Sequence, residues 1–379
     1  MRVLLVQNRF YPAIGGAETH VYLLSKYLAK KGHDVTVYTT NSLSSDDVTS
    51  LSLAPPFIRR GKTKRDLPLE ETLNGVKVKR FDFKFRYWSF NWIPDMFKEL
   101  KETVKNFDII HAHGYHVSTS LVSCYYARKW NKPFILTGHL LTIPEDLPLT
   151  AKFFKKIYDS SFGRWLIRNS SKLIATTEDN AKEYKQLGAE EDKIIIIPNG
   201  IELEDYFNNS EISIKSVEEK YGIEKNHSVL LFVGRIERYK GIQEVIEIMP
   251  IITRSFPDIK FIVVGQDYGF KSELIRLARK LEVLENILFT GAVPKEDLIA
   301  LYKRADIFVF PSRNENFGIV LLEAMATKTL CIAYSIPSVR NIIKDGKNGI
   351  LVKNKSEFLD KILYYLNNID EKKRLKQKL

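Results

Sequence analysis

Two cations and two carboxylates, each on a loop or helix start that follows an apolar run, carry the strongest chemical signal in this 379-residue chain. The segment GRIERYKG (234–241) places Arg235 and Lys240 between Gly234 and Gly241. Glycines let a backbone approach a bulky anion, and two cations there suit a diphosphate and the charge that grows on a departing group. Arg238, between them, reads as a solvated surface charge. The segment ENFGIVLLEAM (315–325) carries Glu315 ahead of a helix and Glu323 within it, with Asn316, Phe317, Gly318 and Ile319 at the helix start. Free backbone N–H groups at such a start favour an anion. Glu323 lies among Leu321, Leu322, Ala324 and Met325, so it needs hydrogen-bond partners, because an unpaired buried carboxylate is costly. Ligand hydroxyls would serve.

The first half of the chain offers weaker signals. Gly15 and Gly16 precede a helical pattern, and His111, His113 and His139 lie at or near the ends of apolar runs. Paired glycines are often only a turn, and a lone histidine is often structural. The loop QNRFYPAIGG lacks the Gly-x-Gly-x-x-Gly fingerprint, which counts against a dinucleotide site. No Asp-x-Asp occurs anywhere, so a common means of holding a divalent ion on a phosphorylated ligand is missing.

The elements that position these residues follow a repeated plan. RVLLVQ, a loop, AETHVYLLSKYLAKKG and DVTVYTT read as strand, loop, helix and strand; SVLLFVG, a loop, IQEVIEIMPIITRSF and KFIVVG repeat the order. Further short strands are expected at 108–114, 133–139, 172–177 and 193–200, and in ILFTG, DIFVFPS and LCIAY. Apolar strands alternating with helices indicate an α/β chain with two Rossmann-like, doubly wound parallel-sheet domains. Ligands of such sheets lie beyond the carboxyl ends of the strands, where the residues above fall. We expect domains at 1–203 and 204–354, a helical tail at 355–379, a linker near Asn199 to Asn209, and the most mobile stretch at Ser42 to Leu73.

Composition narrows the classes. A hydrophobic content of 44% belongs to a folded chain, and no run approaches the roughly 20 apolar residues that span a bilayer. Only Cys124 and Cys331 occur, far apart, which argues against a disulfide scaffold and for a cytoplasmic location. The net charge is +12, weighted toward the first half, with many basic residues and Phe81, Phe83, Phe85, Tyr87 and Trp88 between Arg59 and Trp88. The basic excess, much of it from Arg59 to Arg86, reads either as a solvated loop and edge strand or as a contact for an anionic partner, whether lipid headgroups, a phosphorylated substrate or nucleic acid, and charge alone does not choose among these. No nucleic-acid-binding motif is present, so nucleic acid is not an expected partner.

FYPAIGGAE (10–18), HAHG (111–114), the strand ending at His139, IPNGIE (197–202), GRIERYKG and ENFGIVLLEAM together resemble the retaining glycosyltransferases of family 4 (glycosyl transferase group 1), across nearly the whole chain. The last segment contains the E-x7-E signature of that family. The resemblance implies the GT-B fold, with the two domains facing a central cleft and the tail crossing back to the first. It implies a metal-independent reaction without a cofactor, in which a hexose-type sugar passes from a UDP- or GDP-linked donor to a glycan, phosphosugar or lipid-linked acceptor. Arg235 and Lys240 would hold the diphosphate, Gly15, Gly16, Asn199 and Gly234 would join the donor site, and Glu315 would touch the transferred sugar. Phe317 to Ile319 would add backbone contacts and Asn316 would flank them, while Glu323 would bind the ribose. His139 would position sugar and acceptor, with His111 and His113 on the acceptor side. Retention would come from front-face attack, with the leaving phosphate accepting the acceptor's proton.

The sequence departs from the family in ATKTLCIAYSIPSVRNII, where Lys328 stands at a position often occupied by Gly and the usual Gly-Gly loop is missing. That loop lies near the donor sugar or base in relatives, so the departure bears on donor identity and leaves open an inactive relative serving as a membrane- or anion-binding scaffold; a sugar-nucleotide epimerase, which uses a similar two-domain cleft, is a further reading.

Overall fold

The computed structural model describes residues 1–379 except 14, 43–66, 83, 88–89, 140–148, 208–210 and 377–379. Arg59, Phe83, Trp88 and most of the stretch expected to be mobile lie outside the described residues. The chain forms two compact units, Met1–Asn199 and Gly200–Leu379.

In the first unit, β1 (Arg2–Val6), β2 (Asp34–Thr40), β3 (Glu70–Leu73) and β4 (Val76–Phe81) precede a separate hairpin of β5 (Phe85–Tyr87) and β6 (Phe90–Trp92). Then come β7 (Ile109–His113), β8 (Phe134–Thr137), β9 (Lys172–Ala175) and β10 (Ile194–Ile196). The main sheet has the order β10-β9-β8-β7-β1-β2-β4-β3, parallel except for the edge strand β3. Val3 to Val6 are buried because β1 is central and covered on both faces. From β1 the chain runs to β2 on one side, and β7 then pairs on the other. The sheet therefore reverses its order between β1 and β7, and loops leaving those strands diverge around a crevice.

The second unit repeats this logic with β11 (Ser228–Val233), β12 (Ile259–Val264), β13 (Ile287–Gly291), β14 (Ile307–Phe310), β15 (Leu330–Tyr334) and β16 (Ile350–Val352). Its order is β13-β12-β11-β14-β15-β16, all parallel, with the reversal between β11 and β14. The tail packs into this unit: Phe358 and Ile362 of helix Lys355–Asn367 and Leu375 of helix Ile369–Lys376 join its core, and Lys372 pairs with Asp306 at 2.7 Å.

The basic segment of the first unit is not a free patch where it is described. Phe81 is core, Lys77 pairs with Asp34, and Lys79 pairs with Glu70 and Glu99. The buried Arg80 pairs with Glu71 and donates to the carbonyls of Pro68 and Tyr11. Alternation along VKVKRF turns valines inward and leaves cations opposite carboxylates, as a strand near a sheet edge requires.

Lys328 has a backbone reason for its position. Helix Ile319–Ala326 ends with Lys328 N–H donating to Met325 O and Thr329 N–H to Ala324 O, both at 2.8 Å, the two bonds of a Schellman motif. That motif puts Lys328 at a φ of 57°, a region that favours glycine. Relief of side-chain strain outweighs the added freedom of an unfolded glycine, so Lys328→Gly should stabilise the protein by about 0.5–1 kcal/mol. Urea denaturation checks this; an unchanged or lower midpoint would show that the lysine side chain contributes more than its strain costs.

Candidate functional site

In the second unit the loops leaving β11 and β14 lock together. Gly241, with a φ of 76°, sits so close to the second loop that a Cβ there would lie 2.0 Å from the Pro311 carbonyl oxygen. Arg313 N–H donates to Tyr239 O at 3.2 Å. Lys240 is thereby buried, and its Nζ lies 2.6 Å from Glu315 Oε2, while Glu315 Oε1 accepts from Asn316 N–H at 3.1 Å. Burial alone would raise the Glu315 carboxyl, but Lys240, and behind it Arg235, hold it below the usual carboxylate range. Glu315 is an anion at neutral pH.

Arg235 is half-exposed, with its guanidinium 5.2 Å from the centre of the Tyr268 ring, bonded to the Tyr239 hydroxyl and 3.5 Å from Glu237 Oε2. Aromatic faces orient the guanidinium without neutralising it. Arg238 instead forms a two-pronged pair with Glu273, at 2.6 and 2.7 Å, on the exposed side. Phe317 is buried, and Gly318, with a φ of 91°, caps the helix that begins at Ile319. Glu323, on that helix, accepts from the Tyr302 hydroxyl at 2.9 Å and from the Tyr206 hydroxyl. Burial dominates those bonds and leaves its carboxyl above the usual range. Two phenols thus supply the partners that its apolar surroundings demand.

In the first unit, His111 and His113 end β7, His139 follows β8 at a φ of 56°, and His20 reaches the same place from helix Gly16–Lys30. His113 Nδ1 lies 3.2 Å from His139 Nε2, and His111 Nε2 lies 2.8 Å from Thr137 Oγ1. The His20 ring lies 5.7 Å from that of His113 and 5.4 Å from that of His139. Burial pushes His139 and His111 down to about 3, His20 down to about 4, and His113 well below its ordinary value. The cluster is neutral at physiological pH. His113 Nε2 is buried without a hydrogen-bond partner among the described residues. Gly15 lies against Glu18, whose carboxylate would be 2.2 Å from a Cβ at Gly15 and which pairs with Arg9 at 2.6 Å. Gly16 opens the helix. Asn199 is the last residue of the unit, buried, with its side-chain oxygen unpartnered among the described residues.

The structure therefore joins Arg235, Lys240 and Glu315 in one constellation and His111, His113 and His139 in another, and sets Glu323 apart between tyrosines. Sequence reading missed His20, the rings beside Arg235, and the phenols on Glu323. His20 alone had a usable signal, because it lies in the first turns of the helix that starts at the paired glycines. Among the described residues no group of three or more His, Cys, Asp or Glu side chains is placed to hold a metal ion.

Two consequences follow from these charges. Lys240→Met leaves Glu315 buried and unpaired and should cost about 3 kcal/mol of stability in a calorimetric melt, part of which Lys240→Met, Glu315→Gln recovers. The histidines act oppositely to acid-stable groups. Their folded values of about 3 to 4 lie below the unfolded value of 6.5, so the unfolded chain binds more protons between those limits. Their contribution is complete above pH 6.5 and is lost as pH falls toward 4, each adding about 1.4 kcal/mol per pH unit to the slope. The urea midpoint should drop between pH 7 and 5, and His113→Phe should make that drop shallower by one proton's worth.

Comparison with known proteins agrees with this geometry. Residues 14–205 match the family model for Glycosyltransferase Family 4, and residues 213–378 that for Glycosyl transferases group 1. A D-inositol 3-phosphate glycosyltransferase of Frankia alni is 29% identical over 92% of this chain and 86% of its own. An alpha-monoglucosyldiacylglycerol synthase of Streptococcus pneumoniae is 27% identical over 96% of this chain and 78% of its own. Anabaena HepE, solved in complex with UDP and glucose, superposes with a TM-score of 0.78 at 17% identity, over 100% of this chain and 93% of its own. WaaG, a glycosyltransferase involved in lipopolysaccharide biosynthesis, gives 0.75 at 18% identity over 99% and 93%. These likenesses share the GT-B fold, and the two family matches between them span both units. The chain belongs to glycosyltransferase family 4.

Proposed function

We propose that the protein is a retaining, metal-independent transferase that moves a hexose-type sugar from a UDP- or GDP-linked donor onto a glycan, phosphosugar or lipid-linked acceptor. The observation that carries this reading is the buried Lys240–Glu315 pair beside the half-exposed Arg235, at the point where the second sheet reverses its order. Lys240 and Arg235 supply positive charge where a leaving diphosphate gains negative charge, so neither a metal ion nor a cofactor is required. Glu315, held anionic, accepts hydroxyl hydrogen bonds from the sugar, and Asn316 to Ile319 add polar backbone beside it. Gly15, Gly16, Gly234 and Asn199 complete the donor surroundings, and Glu323 receives ribose hydroxyls.

In the first unit, neutral His139 and His113 orient the acceptor hydroxyl without adding charge, and His111, on β7 beside Thr137, supports them. The bond from the anomeric carbon to phosphate oxygen breaks as the bond to the acceptor oxygen forms on the same face. The acceptor's proton passes to the departing phosphate. The names of the relatives support the acceptor class, one of them a phosphorylated inositol and another a diacylglycerol lipid. The reading places the enzyme in the cytoplasm with peripheral membrane contact. No described helix is long and apolar enough to cross a membrane.

Calorimetric titration with UDP, GDP and ADP in excess chelator tests the donor site. One nucleotide should bind selectively, and Arg235→Ala, Lys240→Ala should weaken it by at least tenfold. Binding only on addition of a divalent ion, or equal binding by the variant, would overturn the assignment.

A further inference from the structure

Helices Leu149–Tyr158 and Arg164–Asn169, joined by a π-helical turn at Asp159–Gly163, form one run of about 30 Å in the first unit. Its inner face is fully used. Leu166, Ile167 and Gly163 are buried, and a Cβ on Gly163 would lie 2.0 Å from the Tyr115 hydroxyl. Tyr158 OH donates to Tyr115 O at 2.5 Å, and Asp159 accepts from the Tyr115 hydroxyl at 3.1 Å and from Lys155. The run is therefore fixed to the core, yet it still turns five large apolar side chains to solvent. Phe153, Phe154, Ile157, Phe162 and Trp165 are 36% to 63% exposed.

Their spacing is helical. Phe153 and Ile157 are four residues apart, Phe162 and Trp165 three apart, and the wide π turn carries the stripe from one helix to the next. The same run carries Lys152, Lys155, Lys156, Arg164 and Arg168 against a single carboxylate, Asp159, which Lys155 already pairs. Lys152, Lys156, Arg164 and Arg168 are exposed. An inner face, an outer aromatic stripe and a cationic flank form the pattern of a helix that lies in a lipid interface rather than spanning it. A nucleic acid has no use for the apolar stripe, and an ordinary protein partner does not require four exposed cations beside it.

We propose that residues 149–168 are the docking surface for an anionic lipid membrane, with Phe153, Phe154, Ile157, Phe162 and Trp165 inserted and the cations on headgroup phosphates. This deepens the lipid-linked option above and rests on that reading for its purpose. Tyr115, which anchors the run, stands two residues after His113, so the membrane surface is tied to the acceptor side of the unit.

Flotation with vesicles of phosphatidylcholine, alone or mixed with phosphatidylglycerol, reads the surface directly. Wild type should bind the mixed vesicles and lose that binding in high salt. Phe153→Ser, Phe154→Ser, Ile157→Ser and, separately, Lys152→Glu, Lys156→Glu, Arg164→Glu should each weaken it at least tenfold. Both variants should keep wild-type UDP titrations and melting curves, because all the changed side chains are solvent-facing. Equal vesicle binding by either variant, no binding by wild type, or a stripe that only drives self-association in sedimentation would overturn the proposal. Vesicle binding without any nucleotide binding would overturn the donor assignment and leave this surface standing.

Discussion

The contact between Gly241 and the Pro311 carbonyl is the constraint on which the second unit's chemistry depends. Adjacent parallel strands keep the loops after β11 and β14 within reach, but only a residue without a Cβ allows their backbones to touch. Once they touch, Lys240 and Glu315 are driven together and out of water. A buried ion pair is weak evidence of stability, since replacing both partners by apolar groups is often harmless. Its persistence at a sheet reversal, with Arg235 beside it, is better explained by a ligand that uses both charges. A similar close approach, of Gly265 to the Gly234 carbonyl, ties the loop after β12 to the same place.

The two units show how one architecture hosts opposite electrostatics. Each sheet reverses its order once and gathers loops there. In the second unit the gathered groups are permanent charges, and a carboxylate is kept ionised by its neighbours. In the first they are imidazoles whose burial keeps them neutral. The first cluster offers hydrogen bonds without charge, and the second offers charge. That division follows from the side chains at the strand ends, not from the fold.

Much of this was legible in the sequence, and for physical reasons. Fully buried parallel strands must be continuous apolar runs, so SVLLFV and KFIVV declared themselves, and glycines bracketing two cations declared the loop between them. β16 did not, since ILV is too short to stand out from a helical tail. The strand β4 stays hidden in the sequence because its cations are neutralised by residues distant in sequence, such as Asp34 and Glu99. Lys328 departs from the family's pattern at a position whose backbone is set by a helix cap, and that cap depends on the fold of the helix end rather than on any local motif. The phenols on Glu323 escaped because each acts through a tertiary contact that no local spacing encodes, whereas His20 was within reach from its place in the first turns after the paired glycines.

The two tyrosines on Glu323 bear on how its carboxylate meets a ligand. A carboxylate offers about four acceptor positions, and Tyr302 and Tyr206 occupy two of them. On the proposed reading, a ligand hydroxyl would join the phenols rather than displace them, and it would meet a carboxylate that they already orient. Because burial raises this group's proton affinity, each added donor also favours its ionised form. Tyr302 is fully buried on the neighbouring helix Lys295–Arg304, while Tyr206 comes from the short helix Glu204–Phe207 at the start of the unit. The placement of Glu323 thus depends on a core residue and on the segment that opens the second unit, so a shift of that segment would reach the carboxylate through a single hydroxyl.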